Sequence, residues 1–480
     1  MAPPAILAID QGTTNSKAIL VDADGAVLGA DAAPVSVTHP RPGWVEQDAD
    51  QIWSSVVAAV GGCLRGVPDA RVVAVALSTQ RESVVGWSRG TGRPIAPVLG
   101  WQDARTAERW AGLIADAPPM VRRRTGLRVD AMFSAPKINW LLTNLGGHPV
   151  DDVCVGTVDS WLIWRLTGGA RHACDAGNAS RTLLYDIREL AWSPELCDLF
   201  EVPTRVLPEV LASNGSFGGA SGVPGIPTGT PIAAVMADSH AALLGQGITT
   251  PGSAKATYGT GTSVMMPDPE LVDRDSAVPT TLAWLTDRPT YAREGNILSS
   301  GSALAWTAEL LGLNGVGDLM ALAGTASGSD GVSLVPAFSG LGAPHWNREL
   351  RASLSGMTGG TTRAQVARAA LDAVAHQVCD IVDVIEDEGS QLAVLRADGG
   401  ATAGDLLMQT QADLLGVPVE VAAAAEVSAL GTAQLAWQAL GVEADWAERR
   451  QPARTFRPGI TDAERQERRH AWRRAIRTHN

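Results

Sequence analysis

Apolar and polar positions form short blocks along the first ninety residues, and each block has the length of one strand or helix. Three runs are apolar and short, as buried strands are: AILAID (5–10), KAILVD (17–22) and RVVAVALS (71–78). Asp24-Gly25 indicates a hairpin, and AVLGA after it continues as a further strand. QDADQIWSSVVAAVGGCLRG has helical spacing, with Asp48 or Asp50 as its N-cap. The order predicts an α/β domain.

A second start of the same kind lies in the second half of the chain. GSAKATYGTGTSVMM (252–266) places a Gly/Thr loop between two strand-like runs, and LAVLRADGGATAGDLLMQTQADLLG (392–416) is typical of a strand, a Gly-rich turn and a helix. Two such starts predict two related halves with a cleft between them. We place an N-terminal domain at 1–242 and a C-terminal domain at 243–480. The opening order matches the ribonuclease-H-like fold of actin, heat-shock chaperone ATPases and sugar kinases, so the predicted fold class is two actin-like ATPase domains flanking a central cleft.

Composition narrows the class of protein. A chain of 480 residues predicts two or three domains. A formal net charge of −13 disfavours nucleic acid as a partner, and the basic run around 465–474 is interpreted as an exposed closing helix. The five cysteines form no CxxC pair, which favours a reducing compartment. With no signal-like N-terminus and no apolar run of ~18 residues, we expect a cytoplasmic protein without a membrane partner.

The segment DQGTTNSK (10–17) joins a carboxylate at a strand end to a tight Gly/Thr turn. Phosphoryl transfer needs donors around the phosphates and a carboxylate for Mg²⁺. Asp10 could hold the metal, directly or through water. Thr13 and Thr14 could bind phosphate, and Lys17 could neutralise charge. The alternative is a plain β-hairpin turn that happens to contain Gly and Thr.

Two more Gly-rich turns follow predicted strands. YGTGTS (258–263) is a second candidate phosphate loop, and DGGATAG (398–404) precedes a helix, where its first Gly pair would let an adenine or ribose approach the backbone. Each turn alone is a weak signal. Three such loops, each after a predicted strand, together favour a nucleotide-binding protein.

Other polar segments suit a polyhydroxylated substrate. TQRES (79–83) follows a buried strand, and GWQDART (100–106) comes shortly after. An Arg/Glu pair can bond adjacent hydroxyls, and an indole can cover a C–H face. The alternative is a surface ion pair and a core tryptophan.

Asp238 follows the apolar run PIAAVMA, in the segment ADSH. A carboxylate at a strand end can accept the alcohol proton as phosphoryl transfer proceeds. The alternative role, a helix N-cap, is compatible with that one. We interpret His240 as structural, and the eight histidines show no metal-ligand spacing.

Long segments of the chain resemble the FGGY carbohydrate kinases, and within that family the glycerol kinases most closely. The likeness runs from residue 6 to about residue 440. The segments that carry it are DQGTTNSK, RPGWVEQD, TQRES, GWQDART, TVDSWLIWRLTGG, NASRTLLYDI, KATYGTGTS, PAFSGLGAPHW and DGGATAGDLLMQTQADLLGVPVE.

The resemblance implies an ATP-dependent kinase that uses Mg²⁺ and phosphorylates a hydroxyl of a small polyol or sugar. It implies Asp238 as the catalytic base. The other implied roles are polyol binding by Arg81, Glu82 and Trp101, metal binding by Asp10, phosphate contacts by Thr14, Lys17 and Thr260, and a nucleotide pocket lined by Gly301, Gly400 and Gly404.

Four positions depart from the glycerol-kinase pattern. Lys17 replaces an arginine and loses its bidentate fork. Met132 replaces a substrate-contacting tyrosine, Ser263 an aromatic wall, and Gly404 an asparagine that would touch adenine. Because Met132 and Ser263 both belong to the implied substrate shell, we expect a polyol or ketose larger than glycerol.

Two alternatives stay open at this point. One is a glycerol kinase proper. The other is a non-enzymatic actin-like nucleotide-binding protein, which the substrate-type segments and Asp238 disfavour. A homo-oligomer is compatible with the family, although the sequence contains no recognisable interface.

Overall fold

A computed structural model describes residues 3–271 and 275–477, which form strands and helices. The strands are β1 (Pro4–Gln11), β2 (Asn15–Val21), β3 (Val27–Pro34), β4 (Glu46–Gln47), β5 (Arg71–Thr79), β6 (Val84–Ser88), β7 (Val98–Leu99), β8 (Val153–Thr157), β9 (Ala173–Asp175), β10 (Tyr185–Asp186), β11 (Ala191–Trp192), β12 (Glu209–Leu211), β13 (Ile232–Ala237), β14 (Ser253–Tyr258), β15 (Thr262–Asp268), β16 (Thr280–Leu285), β17 (Pro289–Ile297), β18 (Ser333–Val335), β19 (Ser353–Ser355), β20 (Val394–Asp398), β21 (Val419–Val421) and β22 (Arg454–Phe456). The helices are α1 (Ala49–Gly66), α2 (Ala111–Ala115), α3 (Pro119–Thr125), α4 (Ser134–Thr143), α5 (Val158–Leu166), α6 (Ala176–Ser180), α7 (Pro194–Leu199), α8 (Asp238–Gly245), α9 (Gly301–Leu310), α10 (Val316–Ala323), α11 (Arg363–Asp387), α12 (Asp405–Leu415), α13 (Val427–Ala439), α14 (Trp446–Arg449) and α15 (Asp462–Arg477).

These elements pack into two units, each built from separate stretches of the chain. Unit 1 comprises Met1–Gly247, Thr280–Tyr291 and Glu426–Arg449. Unit 2 comprises Ile248–Pro279, Ala292–Ala425 and Arg450–Asn480. The domain boundary between residues 242 and 243 stays a prediction.

Unit 1 is built on a sheet with the strand order β13-β5-β1-β2-β3. Strands β1, β2 and β3 form an antiparallel meander, and β5 joins β1 in parallel after helix α1, which confirms the predicted order of elements. Gly25 has a φ of +81°, as the predicted hairpin requires. Of the two N-cap candidates, Asp48 is the cap: its side chain accepts the Gln51 N–H of α1 at 2.9 Å.

Two helices of unit 1 lie in very close contact. A Cβ on Gly245 of α8 would come within 2.1 Å of the Val427 carbonyl oxygen, and one on Gly431 of α13 within 2.0 Å of the Ala241 carbonyl oxygen. Only glycine allows this approach. Helix α13 is therefore a close support for α8, which follows β13 in the chain.

A second sheet of unit 1 has the order β4-β7-β6-β8. Helix α4 packs against β6 and β8 through a buried apolar cluster that includes Val84, Phe133, Ile138, Leu141 and Val155. This packing places the first turn of α4 beside the segment that follows β5.

Unit 2 has a sheet in which the strands follow the order β17-β15-β14-β20-β21-β22. Strands β14 and β15 are antiparallel, whereas β20 lies parallel to β14 and β21 parallel to β20. The long helix α11 begins with a capping box formed by Thr362 and Gln365 and contributes most of its buried residues to the apolar core of this unit. The predicted strand–loop–strand and strand–turn–helix segments are both present.

The closing helix differs from its prediction in one respect. Residues 462–477 form a helix, but this helix is not simply exposed. Arg469 is 3% exposed, and Trp472 and Ile476 are buried in the core of unit 2. The sequence did not reveal that Trp472 and Ile476 share a buried face, because Arg473 and Arg474 lie between them.

Among the described residues, no helix is both long enough and apolar enough to cross a membrane.

Candidate active site

Three parallel strands of unit 1 end at the same edge of its sheet. In the register of the sheet, Asp10 pairs with Ser78 of β5, and Thr79 pairs with Ala237 of β13. The residues that directly follow β5 and β13 therefore meet beside Asp10. Segments far apart in the sequence are brought together here because parallel strands share their carboxyl ends.

Asp238 lies at the start of helix α8. The N-cap is Ala237, so the alternative role of Asp238 as the N-cap is wrong, and Asp238 is instead the first helical residue. Its Oδ1 atom accepts the Ser239 N–H at 2.6 Å and lies 3.5 Å from Nε of Arg81. The Asp238 side chain is 33% exposed, so its carboxylate is accessible as a proton acceptor.

The Asp10 carboxylate occupies an environment that favours a cation. Burial raises the pKa of Asp10 to about 7, a hydrogen bond from Ser78 opposes this rise, and the negative charge of Asp238 adds to it. A nearby positive charge would stabilise the ionised form. A metal ion would supply such a charge, and the metal-binding role of Asp10 stays a prediction.

The loop between β1 and β2 is held in place from several directions. Gly12 N–H donates to the Asn15 carbonyl at 2.9 Å, and β1 and β2 are antiparallel, so the segment is a hairpin turn. A hairpin turn is compatible with a phosphate-binding role. Gln47 Nε2 donates to the Thr13 carbonyl at 2.7 Å. Lys17 forms an ion pair with Glu426 at 2.9 Å, a partner that the sequence did not indicate.

Trp101 connects two of the predicted segments. Its Nε1 donates to Thr13 Oγ1 at 3.0 Å, and its backbone N–H donates to Ser83 Oγ at 3.0 Å. The indole is therefore not a core tryptophan of the alternative kind: it is oriented by the β1–β2 loop and by the segment after β5.

The loop that carries Trp101 is braced by Arg105. The Arg105 guanidinium pairs with Asp103 at 2.7 Å and with Glu46 at 2.8 Å, and it lies 3.7 Å from the ring centroid of Trp44. All four of these residues come from RPGWVEQD and GWQDART, which explains why both segments accompany the site: they fix the loop.

Glu82 has an unusual backbone conformation and a buried ion pair. Its φ is +59°, a left-handed value that is uncommon for a residue with a side chain. Its carboxylate accepts Nε of Arg181 at 2.7 Å, and the two side chains are 5% and 2% exposed. Sequence reasoning missed Arg181, although it lies in the quoted segment NASRTLLYDI, because nothing in the sequence links residue 181 to residue 82.

Met132 lies just before helix α4. Its side chain is partly buried and packs against the apolar cluster between α4 and β6. Its backbone N–H donates to Asp130 Oδ1 at 2.9 Å, which fixes the turn.

The first loop of unit 2 lies against the start of helix α9. Ser300 and Ser302 N–H groups both donate to the Thr260 carbonyl at 3.0 Å, and Gly301 N–H donates to the Gly259 carbonyl at 3.0 Å. A Cβ on Gly301 would come within 2.4 Å of that Gly259 oxygen. Thr260 and Gly301 are thus adjacent, and glycine is required at position 301.

The other Gly-rich turn of unit 2 follows β20, next to the end of β14. Thr257 of β14 pairs with Asp398 of β20, so the two turns lie at the same edge of the sheet. A Cβ on Gly399 would come within 2.5 Å of the Tyr258 carbonyl oxygen. A Cβ on Gly400 would meet nothing within 4 Å, and one on Gly404 would meet Met320 Sδ at 3.0 Å.

Ser263 is the second residue of β15, directly after the Thr260 loop. Its Oγ donates to Oε1 of the buried Glu294 at 3.3 Å. Because the hydroxyl proton is directed towards this carboxylate, the Ser263 oxygen presents lone pairs to its other side.

Comparisons with known proteins identify the family of the chain. Residues 5–245 match the N-terminal domain, and residues 254–440 the C-terminal domain, of the FGGY family of carbohydrate kinases. The chain is 45% identical over 451 residues to an apulose kinase of Pectobacterium atrosepticum, covering 92% of this chain and 90% of that protein. It is 43% identical to a glycerol kinase of Alkalilimnicola ehrlichii, with 98% of each chain covered.

Among solved structures, the crystal structure of Plasmodium falciparum glycerol kinase with ADP superposes with a TM-score of 0.92 at 30% identity, covering 99% of this chain and 98% of that one. The predicted two-domain α/β kinase fold is confirmed, and the non-enzymatic alternative is excluded. The chain belongs to the FGGY family of carbohydrate kinases and is an ATP-dependent kinase of a sugar or polyol.

Proposed function

We propose that unit 1 binds a polyol or ketose larger than glycerol and that Asp238 is the general base for its phosphorylation. The observation that carries this proposal is the meeting of Asp10, Arg81 and Asp238 at one sheet edge, with Arg81 Nε 3.5 Å from Asp238 Oδ1. Asp238 accepts the proton of the acceptor hydroxyl as that oxygen attacks the γ-phosphorus of ATP, and the bond from that phosphorus to the β,γ-bridging oxygen breaks to release ADP. Arg81 lies beside this carboxylate and orients it.

The remaining acceptor contacts follow from the same geometry. Glu82 accepts hydrogen bonds from substrate hydroxyls, and Arg81 donates to them. Trp101, oriented by its bond to Thr13, covers an apolar C–H face of the substrate. Polar groups that bond each hydroxyl discriminate strongly against analogues that lack one, because the group is then left unpaired.

We also propose that Asp10 holds Mg²⁺ together with the phosphates of ATP. Magnesium usually takes one or two carboxylates plus phosphate and water oxygens. Within residues 3–271 and 275–477, no group of three or more His, Cys, Asp or Glu side chains could hold a metal ion. A single carboxylate supplemented by ligand oxygens fits that finding. When bound, the ion supplies charge neutralisation for the transferred phosphoryl group.

The nucleotide contacts are assigned to backbone-rich turns. We assign phosphate contacts in unit 1 to Thr13, Thr14 and Lys17 of the β1–β2 loop, and separately in unit 2 to Thr260. The nucleotide pocket is lined by Gly301, Gly400 and Gly404. A Cβ on Gly400 would meet no atom within 4 Å, so the backbone there borders open space. This supports the assignment, since a ligand can approach the backbone directly.

The proposed substrate size rests on Met132 and Ser263. Met132 carries no phenol hydroxyl, and its side chain packs against an apolar cluster. Ser263 replaces a large apolar group by a small oxygen oriented as an acceptor by Glu294. The Pectobacterium relative is named for apulose, which supports a ketose, whereas the Alkalilimnicola and Plasmodium relatives support the alternative, a glycerol kinase proper.

A coupled ADP-release assay over glycerol, erythritol, threitol, xylitol, xylulose and apulose tests the proposal. We expect a four- or five-carbon substrate to have the highest kcat/KM. If glycerol is preferred by tenfold or more, about 1.4 kcal/mol of transition-state preference, the larger-substrate proposal fails and glycerol kinase replaces it.

We further propose a cytoplasmic location, since all five cysteines are buried and unpaired, as in proteins of reducing compartments. Self-association stays a prediction that sedimentation of the purified protein can test.

A further inference from the structure

Helix α4 begins with two donors that reach backbone carbonyls of the proposed acceptor site. Lys137 is fully buried, and its ammonium donates to the Met132 carbonyl. The same Nζ lies 3.4 Å from the Glu82 carbonyl oxygen and 3.5 Å from that of Trp101. Ser134 Oγ donates to the Glu82 carbonyl at 3.2 Å. One side chain thus touches three residues that we assign to the acceptor.

These three residues come from separate parts of the chain. Glu82 follows β5, Trp101 follows β7, and Met132 precedes α4. An ammonium group has three N–H donors, which matches three carbonyl oxygens. Burying a charge is costly, so an ammonium stays charged in the interior only where such acceptors and nearby carboxylates compensate. The arrangement therefore ties three loops to a single point on a packed helix.

The contact with Glu82 is the most demanding of the three. Its left-handed backbone, at a φ of +59°, costs free energy unless the surroundings hold it. Its carbonyl is held by Lys137 and Ser134, and its carboxylate is held by Arg181 at 2.7 Å. Both ends of Glu82 are thus fixed by groups that do not themselves belong to the proposed contact set.

We propose that Lys137 is a positioning residue for the sugar or polyol, which holds the backbone of Glu82, Trp101 and Met132 in the arrangement that binds the acceptor. The inference rests on the proposed roles of those three residues. It predicts that loss of Lys137 weakens acceptor binding and leaves ATP binding unchanged.

The charge of Lys137 gives the inference an independent readout. Burial lowers the pKa of Lys137 to about 8, while the carboxylates of Glu82, Asp103 and Asp130 raise it and the charge of Arg105 lowers it. Above that pH, the neutral amine has two N–H donors for three carbonyls. The KM for the acceptor should therefore rise above about pH 8, and the KM for ATP should not follow it.

The experiment compares Lys137→Met with Asn139→Leu. Asn139 is also buried on α4, but it donates to Glu201 at 3.2 Å and contacts none of the three carbonyls. In Lys137→Met we expect the acceptor KM to rise roughly tenfold or more, the ATP KM to stay within about twofold, and the high-pH rise to disappear. Asn139→Leu should retain wild-type values and the wild-type pH profile.

An acceptor KM within about twofold of wild type in folded Lys137→Met overturns the inference. If that variant does not fold, Ser134→Ala and the wild-type pH profile decide: an unchanged acceptor KM in Ser134→Ala together with a flat profile through pH 8 overturns it equally. Glu82→Gln distinguishes a failure of the positioning role from a failure of the proposed acceptor site. If Glu82→Gln loses acceptor binding and Lys137→Met does not, only the positioning role fails. If neither variant loses it, the proposed acceptor site is itself wrong.

Discussion

A buried charge network in unit 2 allows a quantitative test of the packing of the closing helix. Arg469 of α15 donates to Asp380 of α11 at 2.6 Å and to Asp383 at 2.7 Å. Asp380 also accepts from Trp472 Nε1 and His345 Nε2, each at 2.8 Å. Replacing Arg469 by Met keeps an unbranched apolar stem and removes the cation that compensates a buried carboxylate.

The expected loss is large because Arg469 and Asp380 are only 3% and 7% exposed. Removing one partner of a buried pair typically costs about 3–5 kcal/mol, since the other charge is left uncompensated. For a body of the size of unit 2, this corresponds to a fall in Tm of roughly 6–20 °C. Arg473 provides a matched control, because it pairs with the same Asp383 at 2.8 Å but is 42% exposed. Arg473→Met should cost less than about 1 kcal/mol.

Differential scanning calorimetry of wild type, Arg469→Met and Arg473→Met measures both effects. The pH dependence of the Tm difference tests the direction in which the fold shifts the pKa of Asp380. Burial raises the pKa of Asp380, but the hydrogen bond from His345 and the charge of Arg469 outweigh it, so the folded pKa is lowered. That stabilisation is present above the unfolded pKa of about 3.9 and is lost as the pH falls through the lower folded value. The difference between wild type and Arg469→Met should therefore shrink as the pH falls to about 4 and below. Equal Tm losses for the two arginine variants at neutral pH would refute the reasoning.

Three further predictions concern the candidate site. Asp238→Asn should lower kcat by ~10²–10⁴-fold with ATP affinity unchanged in calorimetric titration, and retention of more than about a tenth of wild-type kcat would remove Asp238 from the role of base. Trp101→Phe loses the bond to Thr13, worth about 1 kcal/mol, so the acceptor KM should rise roughly fivefold with little change for ATP; an effect on ATP alone would contradict it. Gly301→Ala places a Cβ within 2.4 Å of the Gly259 oxygen, and ATP binding should weaken more than acceptor binding; unchanged ATP affinity would show that position 301 is not part of the nucleotide pocket.

The strands and turns were predictable because each is encoded locally. The apolar runs of β1, β2 and β5 are bounded by Gly-rich or polar turns, and Asp24-Gly25 marks the β2–β3 hairpin. Helix α1 required only its spacing and an acidic cap. These signals act over a few residues and do not depend on the rest of the chain.

The supporting contacts were not predictable in this way. Arg181 and Glu82 are joined by a buried ion pair across 99 positions of sequence, and Lys17 and Glu426 by a pair across 409. Lys137 gave a weak local signal, since a lysine among the apolar residues of SAPKINWLL must be exposed or compensated, but its three carbonyl partners follow only from tertiary packing. Arg469 was misjudged for a related reason: periodicity within a basic run does not reveal which arginine faces a buried carboxylate.

The topology also explains which positions can vary without loss of the fold. In unit 1, Asp10, Arg81 and Asp238 lie at or after the carboxyl ends of β1, β5 and β13, and in unit 2 the turns that carry Thr260 and Gly400 follow β14 and β20. The strands themselves are buried and fixed by packing. The loops beyond them tolerate substitution. Of the positions that depart from the glycerol-kinase pattern, Met132 lies in the loop before α4 and Ser263 lies next to the Thr260 loop, whereas Asp238 is fixed by the packing of α8 against α13. A change of acceptor can therefore arise at the loops while the proposed base keeps its place.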